Sequence, residues 1–177
     1  MGRNKEKLKN LKYEINEAGG VAKEFAFDLN QTENITCLVQ KIESQFNDTV
    51  DILVNSAGVP PRNAPPDWDF EKRWDFVMEV NLKGSMLMSY ESVEQMKKNS
   101  GGSIINLSSI IGLVGYSDTL GFSDLDKNGI NAYPHSKGGV IQMTRDMGVN
   151  LAKHSIRVNA LCPGFAYTNL TKSILIS

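Results

Sequence analysis

The sequence predicts an α/β fold of three layers, a doubly wound parallel sheet between two layers of helices. Segments whose apolar residues recur at helical spacing alternate along the chain with short apolar runs. That alternation is what a parallel sheet with crossover helices demands. Two of the runs, residues 50–54 and 102–109, are short and strongly apolar, as strands buried on both faces of a parallel sheet are.

Each element has its own signal. Residues 4–18 carry Leu8, Leu11 and Ile15 near helical spacing, and Gly19-Gly20 stops them. Residues 21–29 are expected to form a strand. Residues 32–46 follow as a helix with Ile35, Leu38, Val39 and Ile42 on one stripe, and residues 50–54 as a short strand. Pro60-Pro61-Arg62-Asn63-Ala64-Pro65-Pro66 is a surface loop, because proline removes donors and resists both periods. Residues 70–96 are expected to be one long helix and residues 102–109 a buried strand ending in paired serines. A second long helix covers 130–152, and the last clear strand covers 155–161. There are no internal repeats and no domain-sized linker, so a single domain is expected over 1–177.

Composition narrows the class. The 177 residues are 41% hydrophobic and 22% charged, enough for one core and unlike a disordered or membrane chain. A net charge of −1 gives no electrostatic case for nucleic acid or a membrane surface. No apolar run approaches a transmembrane span. Cys37 and Cys162 are too few for a disulfide framework and suggest a reducing compartment, with the cytoplasm as default.

The chemistry is concentrated in the second half. Tyr133 and Lys137 place a phenol and an ammonium four residues apart on a predicted helix, where positions i and i+4 share a face. An ammonium held near a phenol favours the phenolate and lowers a pKa that is normally about 10. A general acid/base acting on a carbonyl oxygen near neutral pH needs that shift. Tyr and Lys also meet at this spacing by chance, so the pair takes its meaning from its company. Ser109 stands at the C-terminal end of a predicted strand, outside which ligands bind in open parallel sheets. It can donate a hydrogen bond to a substrate oxygen as charge develops, or simply close the strand. Asn81 interrupts an apolar-periodic helix, where an asparagine is usually solvated or bonded back to its own backbone.

Taken together, Asn81, Ser109, Tyr133 and Lys137 resemble the catalytic set of the short-chain dehydrogenase/reductase family. Further marks follow in order from about residue 3 to residue 168. Asp28, after Phe25-Ala26-Phe27, resembles the family's adenine-contacting Asp. Asn55-Ser56-Ala57-Gly58 is similar to its Asn-Asn-Ala-Gly turn. The run from Arg157 to Pro163-Gly164 resembles the strand and loop approaching the nicotinamide, and Thr168 matches the position that meets the carboxamide.

The resemblance implies a Rossmann-like fold and an NAD(P)-dependent oxidoreductase that interconverts an alcohol and a carbonyl on a small molecule. Tyr133 would be the acid/base. Lys137 would lower its pKa and bind the nicotinamide ribose. Ser109 would hold the substrate oxygen, and Asn81 would anchor a water of the proton relay. Cofactor contacts would come from Arg3, Asp28, Asn55, Ala57, Gly58, Tyr133, Lys137, Pro163, Gly164 and Thr168. A basic residue at Arg3 tilts the expectation toward NADP over NAD, since a guanidinium suits a 2′-phosphate; its other reading is a solvated residue beside Lys5, Lys7 and Lys9. No metal is expected. The helices over 70–96 and 130–152 match those that pair between subunits in many relatives, so a homo-oligomer is expected.

Departures from the pattern matter equally. None of the fifteen glycines stands in the family's Thr-Gly-x-x-x-Gly-x-Gly turn, so the fold is expected to be incomplete, lacking the first strand and helix and the C-terminal substrate segment. Weak dinucleotide binding and marginal stability are the expected consequences. Ser56 replaces the second Asn of its turn. Ser109 and Tyr133 lie 24 residues apart where the family commonly has roughly a dozen, and the extra residues fall beside the substrate mouth. Within them, Asp124-Leu125-Asp126-Lys127-Asn128-Gly129 matches half of a calcium loop, but position twelve is His135 instead of a carboxylate. Three classes of function stay open: the oxidoreductase, a non-catalytic interaction protein on the same scaffold, and a metal-responsive module.

Overall fold

A computed structural model describes residues 1–115 and 128–166. Helix α1 (Lys5–Glu17) starts where the Asn4 side chain accepts a hydrogen bond from Lys7 N at 2.9 Å, satisfying one of the free first-turn amides. It ends before Gly19, whose φ of 84° needs a residue without Cβ. None of its residues is buried.

Residues 21–29 do not form the expected strand. They contribute one parallel bridge, Gly2 with Ala26, through Gly2 N to Phe25 O at 3.2 Å and Phe27 N to Gly2 O at 3.0 Å. A strand needs a continuous neighbour, and here only Gly2 is beside it. The expected 32–46 helix is a 3₁₀ turn (Thr32–Asn34) that runs into α2 (Ile35–Phe46), whose Ile35, Leu38 and Val39 are buried.

Strands β1 (Ile52–Asn55), β2 (Gly102–Leu107) and β3 (Ile156–Leu161) form a parallel sheet in the order β1-β2-β3. The register pairs Ile52 with Ser103 and Ser103 with Arg157, so alternate residues line one face across all three strands. Leu53, Asn55, Ile104, Asn106, Ile156 and Val158 line the covered face. On it Ile104 and Ile156 form a core with Val93 and Met96 of α4, flanked by Met147 and Leu151 of α5. The opposite face carries Ile52, Val54, Arg157, Asn159 and Leu161, and no described helix covers it; Ile52 is 64% exposed and Val54 53%. The α/β parallel sheet is as predicted, but on this second face the outer strands β1 and β3 are exposed.

The expected 70–96 helix is continuous but not uniform. Helix α3 (Phe70–Met78) begins at Asp69, whose side chain accepts from Lys72 N at 2.9 Å. A π-helical turn (Glu79–Lys83) joins it to α4 (Gly84–Lys98). Such turns insert one residue into a helix and are frequent at functional sites. Helix α5 (Ala132–Leu151) starts at Asn131, which accepts from Tyr133 N at 2.8 Å. It packs tightly on the π turn: a Cβ at Gly139 would lie 2.8 Å from Leu82 Cδ2.

A second core of Phe25, Leu29, Ile35, Leu38, Val39, Val59, Val77, Val80 and Met88 joins α2, α3 and α4. Among the described residues no helix is long and apolar enough to cross a membrane.

Candidate active site

The π turn aims Asn81 inward. Its side chain, far from solvated, is buried and bonded to three groups outside its own helix. Oδ1 accepts from Val59 N at 2.8 Å, and Nδ2 donates to Val59 O and to Ser136 Oγ, both at 3.0 Å. The sequence expectation of a solvated or back-bonding asparagine is corrected, because the inserted residue turns the amide off the solvent face. One carboxamide thus fixes both the loop after β1 and the first turn of α5. Ser136 completes the clamp by donating to Tyr133 O at 2.8 Å.

Lys137 and Tyr133 emerge next to that clamp. Lys137 is buried, and its Nζ donates to Leu107 O at 2.7 Å, at the C-terminal end of β2. It also stands over the Tyr133 ring, 5.6 Å from the centroid. Gly58 closes on both groups, since a Cβ there would lie 3.3 Å from Lys137 Nζ and 3.6 Å from Asn81 Oδ1. The side chain of Ser109, just past β2, stands close enough to the Tyr133 phenol to favour its ionised form. Its Oγ also accepts from Ile111 N at 3.4 Å, capping the turn Ile110–Gly112. The cap reading of Ser109 is present, and its hydroxyl also bears on the Tyr133 phenol.

The electrostatics differ from the sequence expectation. Burial pushes the Tyr133 phenol above its ordinary value; the Arg62 charge and the Ser109 hydrogen bond oppose that rise. Burial alone pushes the Lys137 ammonium down to about 8. The reading that Lys137 lowers the phenol's pKa is corrected: its proton is directed to a carbonyl and its charge to the ring face.

The expected cofactor residues separate into groups. Arg3, Asp28, Ala57 and Gly58 line one cleft of about 370 Å³ with Met1, Gly2, Phe27, Leu29, Ser56, Val59 and Val80. Arg3 stands 3.9 Å from Asp28, both partly exposed. Asn55 points elsewhere. Its Nδ2 donates to Asn106 Oδ1 and Ser89 Oγ, each at 2.9 Å, and to Ser85 O at 3.3 Å. Asn106 in turn donates to Thr144 Oγ1 at 2.9 Å. This buried ladder ties α4, β1, β2 and α5 together, so the Asn55 side chain braces the sheet and is placed away from the cleft. Pro163 and Gly164 follow β3, and Pro163 O accepts from Ile110 N at 3.0 Å, beside Ser109. Thr168 and the half calcium loop at Asp124–Lys127 lie outside the described residues. Among the described residues no three His, Cys, Asp or Glu side chains gather as metal ligands.

Three contributors escaped the sequence reading: Ser136, the Val59 backbone and Arg62. Ser136 sits inside the Tyr133–Lys137 motif, where a hydroxyl one residue from the lysine was a usable signal. Backbone groups and a loop arginine offer none. Asn81→Ala is expected to destabilise the fold by about 2 kcal/mol, since it strands buried backbone groups of Val59. Urea unfolding checks this, and an unchanged midpoint would refute the clamp.

The family model described as short chain dehydrogenase matches residues 1–176. A 3-oxoacyl-(acyl-carrier-protein) reductase of Thermotoga maritima is 34% identical over 170 residues, covering 96% of this chain and 64% of that protein. The 5-keto-D-gluconate 5-reductase of Escherichia coli K12 is 33% identical over 150 residues, covering 84% of this chain and 54% of that protein. A solved structure of a gluconate 5-dehydrogenase from Burkholderia cenocepacia, in complex with NADP and tartrate, superposes with a TM-score of 0.83 at 27% identity. It covers 100% of this chain, which spans 65% of it. The chain therefore spans less than two thirds of the length of these relatives.

Proposed function

The chain belongs to the short-chain dehydrogenase family, and from that premise we propose that it carries the acid/base half of an NADP-dependent oxidoreductase interconverting an alcohol and a carbonyl. The observation that carries this reading is the assembly of Tyr133, Lys137, Ser109 and Asn81 around the C-terminal end of β2. The cleft beside it suits a dinucleotide on two grounds. Gly58 lets backbone approach Lys137 where a side chain would intrude, and Arg3 offers a guanidinium at the rim. NADP, named with the Burkholderia structure, is preferred here because Arg3 suits a phosphate.

When bound, the nicotinamide supplies or takes the hydride. The chain's own residues handle the proton. In reduction Tyr133 Oη passes its proton to the substrate oxygen. The Ser109 hydroxyl, beside the phenol, holds that oxygen and favours its developing charge. Lys137 fixes the ring from its face, and Asn81 with Ser136 fixes the first turn of α5. Pro163 and Gly164 border the same mouth. Thr168 completes the proposed contacts, and residues 1–177 act as a single partial domain. Exposed Met86, Tyr90 and Val149 on α4 and α5 give the surface on which we place a homo-oligomer.

A second reading has its own observation. The open sheet face at Ile52, Val54 and Leu161 favours a protein that acts by association. Titration with NADPH and NADH, followed by quenching of Trp68 and Trp74, separates the two. Saturable quenching that is tighter for NADPH supports the oxidoreductase. No binding by a folded chain removes it and leaves the association reading.

A further inference from the structure

We propose that Ser108 is a positioning residue of this site, whose hydroxyl joins the Lys137 backbone to the end of β2 and so sets where Lys137 and Ser109 stand against Tyr133. The inference rests on the reading of Tyr133 as the proton-transferring group, and adds a residue that acts on it only through those two neighbours.

Leu107 closes β2, and the first of the paired serines follows it. Ser108 is buried, and its Oγ donates to Lys137 O at 2.7 Å. Lys137 answers in the other direction, its Nζ donating to Leu107 O, also at 2.7 Å. The end of β2 and one residue of α5 therefore hold each other twice, side chain to main chain each way. A carbonyl oxygen has two lone pairs, so Lys137 O can keep its helical donor and accept Ser108 as well. Ser108 N donates to Leu161 O at 2.8 Å, which ties the same residue to the end of β3.

A second grip lies just beyond. Gly112 ends the turn Ile110–Gly112 and rests on the peptide that joins Lys137 to Gly138. A Cβ at Gly112 would stand 2.7 Å from Lys137 C and 2.9 Å from Gly138 N, so only glycine fits there. Ser109 sits between the two grips, its own Oγ accepting from Ile111 N, and its distance from α5 is thus set from both sides. The contact at Gly112 limits how closely α5 approaches, whereas the directional Ser108 bond fixes where along β2 the helix stands. Tyr133 lies one turn before Lys137 on the same helix, with its ring under the ammonium. A helix registered on β2 at Lys137 therefore carries the phenol and the ammonium to the Ser109 hydroxyl as one unit.

The test reads Lys137 directly and without cofactor, by NMR titration of isotope-labelled lysine side chains in the wild type, Ser108→Ala, Ser108→Thr and Val39→Ala. The Lys137 signal is assigned by its loss in Lys137→Met. Burial alone holds this ammonium at about 8, so its midpoint reports its placement. In Ser108→Ala the midpoint is expected to rise by about one pH unit toward the ordinary value, as the released ammonium regains water. Ser108→Thr keeps the hydroxyl and should titrate with the wild type. Val39→Ala opens a cavity in the core at α2 and lowers stability without touching the Ser108 bond, so its midpoint should stay. If the alanine variant does not fold, Ser108→Cys, whose thiol is a weak donor, must show the same rise in smaller measure. An unmoved midpoint on loss of the hydroxyl, or a rise as large in Ser108→Thr or Val39→Ala, overturns the proposal. In carbonyl reduction Ser108→Ala should lower kcat about tenfold or more with the KM for NADPH nearly unchanged. The expected midpoints in a chain that fails to bind NADPH would sink the oxidoreductase reading and leave the Ser108–Lys137 link standing.

Discussion

Tyr133→Phe is expected to lower NADPH-dependent carbonyl reduction by about 10²–10⁴-fold, the usual worth of a positioned general acid. Cofactor affinity and melting temperature should stay close to wild type. The reason is geometric: phenylalanine keeps the ring that packs against the Phe25–Val77 core and lies under Lys137. Only Oη and its interaction with Ser109 are lost. Initial rates and NADPH titrations on the same preparation make the comparison, and turnover that survives the substitution sinks the assignment. The wild-type pH profile adds a constraint. Burial holds the phenol above its ordinary value, so Tyr133 keeps the proton it must donate throughout the neutral range. An inflection near pH 8 belongs to Lys137.

What was legible in the sequence followed periodicity and motif. The strands at 52–55, 102–107 and 156–161 were marked by apolar runs, and the helices over 5–17 and 132–151 by apolar spacing, by the stop at Gly19-Gly20 and by the Tyr133–Lys137 motif. The expected strand at 21–29 failed because a strand depends on a partner, and sequence reports propensity without pairing. The π turn was illegible because no residue type marks it in the sequence, and Asn81, read as solvated or bonded to its own backbone, is buried within it. Asn55 was assigned to the cofactor by its place in a turn; its side chain instead donates to Asn106, 51 positions away, which in turn donates to Thr144. Lys137 shows the same limit in its electrostatics. Spacing placed it near Tyr133, while burial and the Leu107 carbonyl decided where its charge acts.

The stability of this fold is expected to rise with pH above 8, by about 3 kcal/mol at most. Lys137 normally releases its proton near 10.5, as it does when unfolded, but in the buried site it does so near 8. Between these values the unfolded chain binds the extra proton, so raising the pH favours the folded state. The interval from about 8 to 10.5, at about 1.36 kcal/mol for each pH unit, gives that magnitude. Below pH 8 both states are protonated and the full cost of burying the ammonium is present. Above pH 10 Tyr133 works in the opposite direction. Its folded pKa is raised, so the unfolded phenol ionises first and stability declines again. Urea midpoints at pH 7, 8, 9 and 10 should therefore climb in the wild type, whereas Lys137→Met should be flat over that range and more stable at pH 7. Parallel curves for the two proteins would refute the buried ammonium. If the expected curves appear while Lys137→Met loses turnover, the site keeps a cation that destabilises the fold at neutral pH. Loss of the Leu107 hydrogen bond alone does not account for that pattern, because it would make the variant less stable at every pH. Such a cation is retained for what it does to Tyr133 and the cofactor, not for what it does for the core.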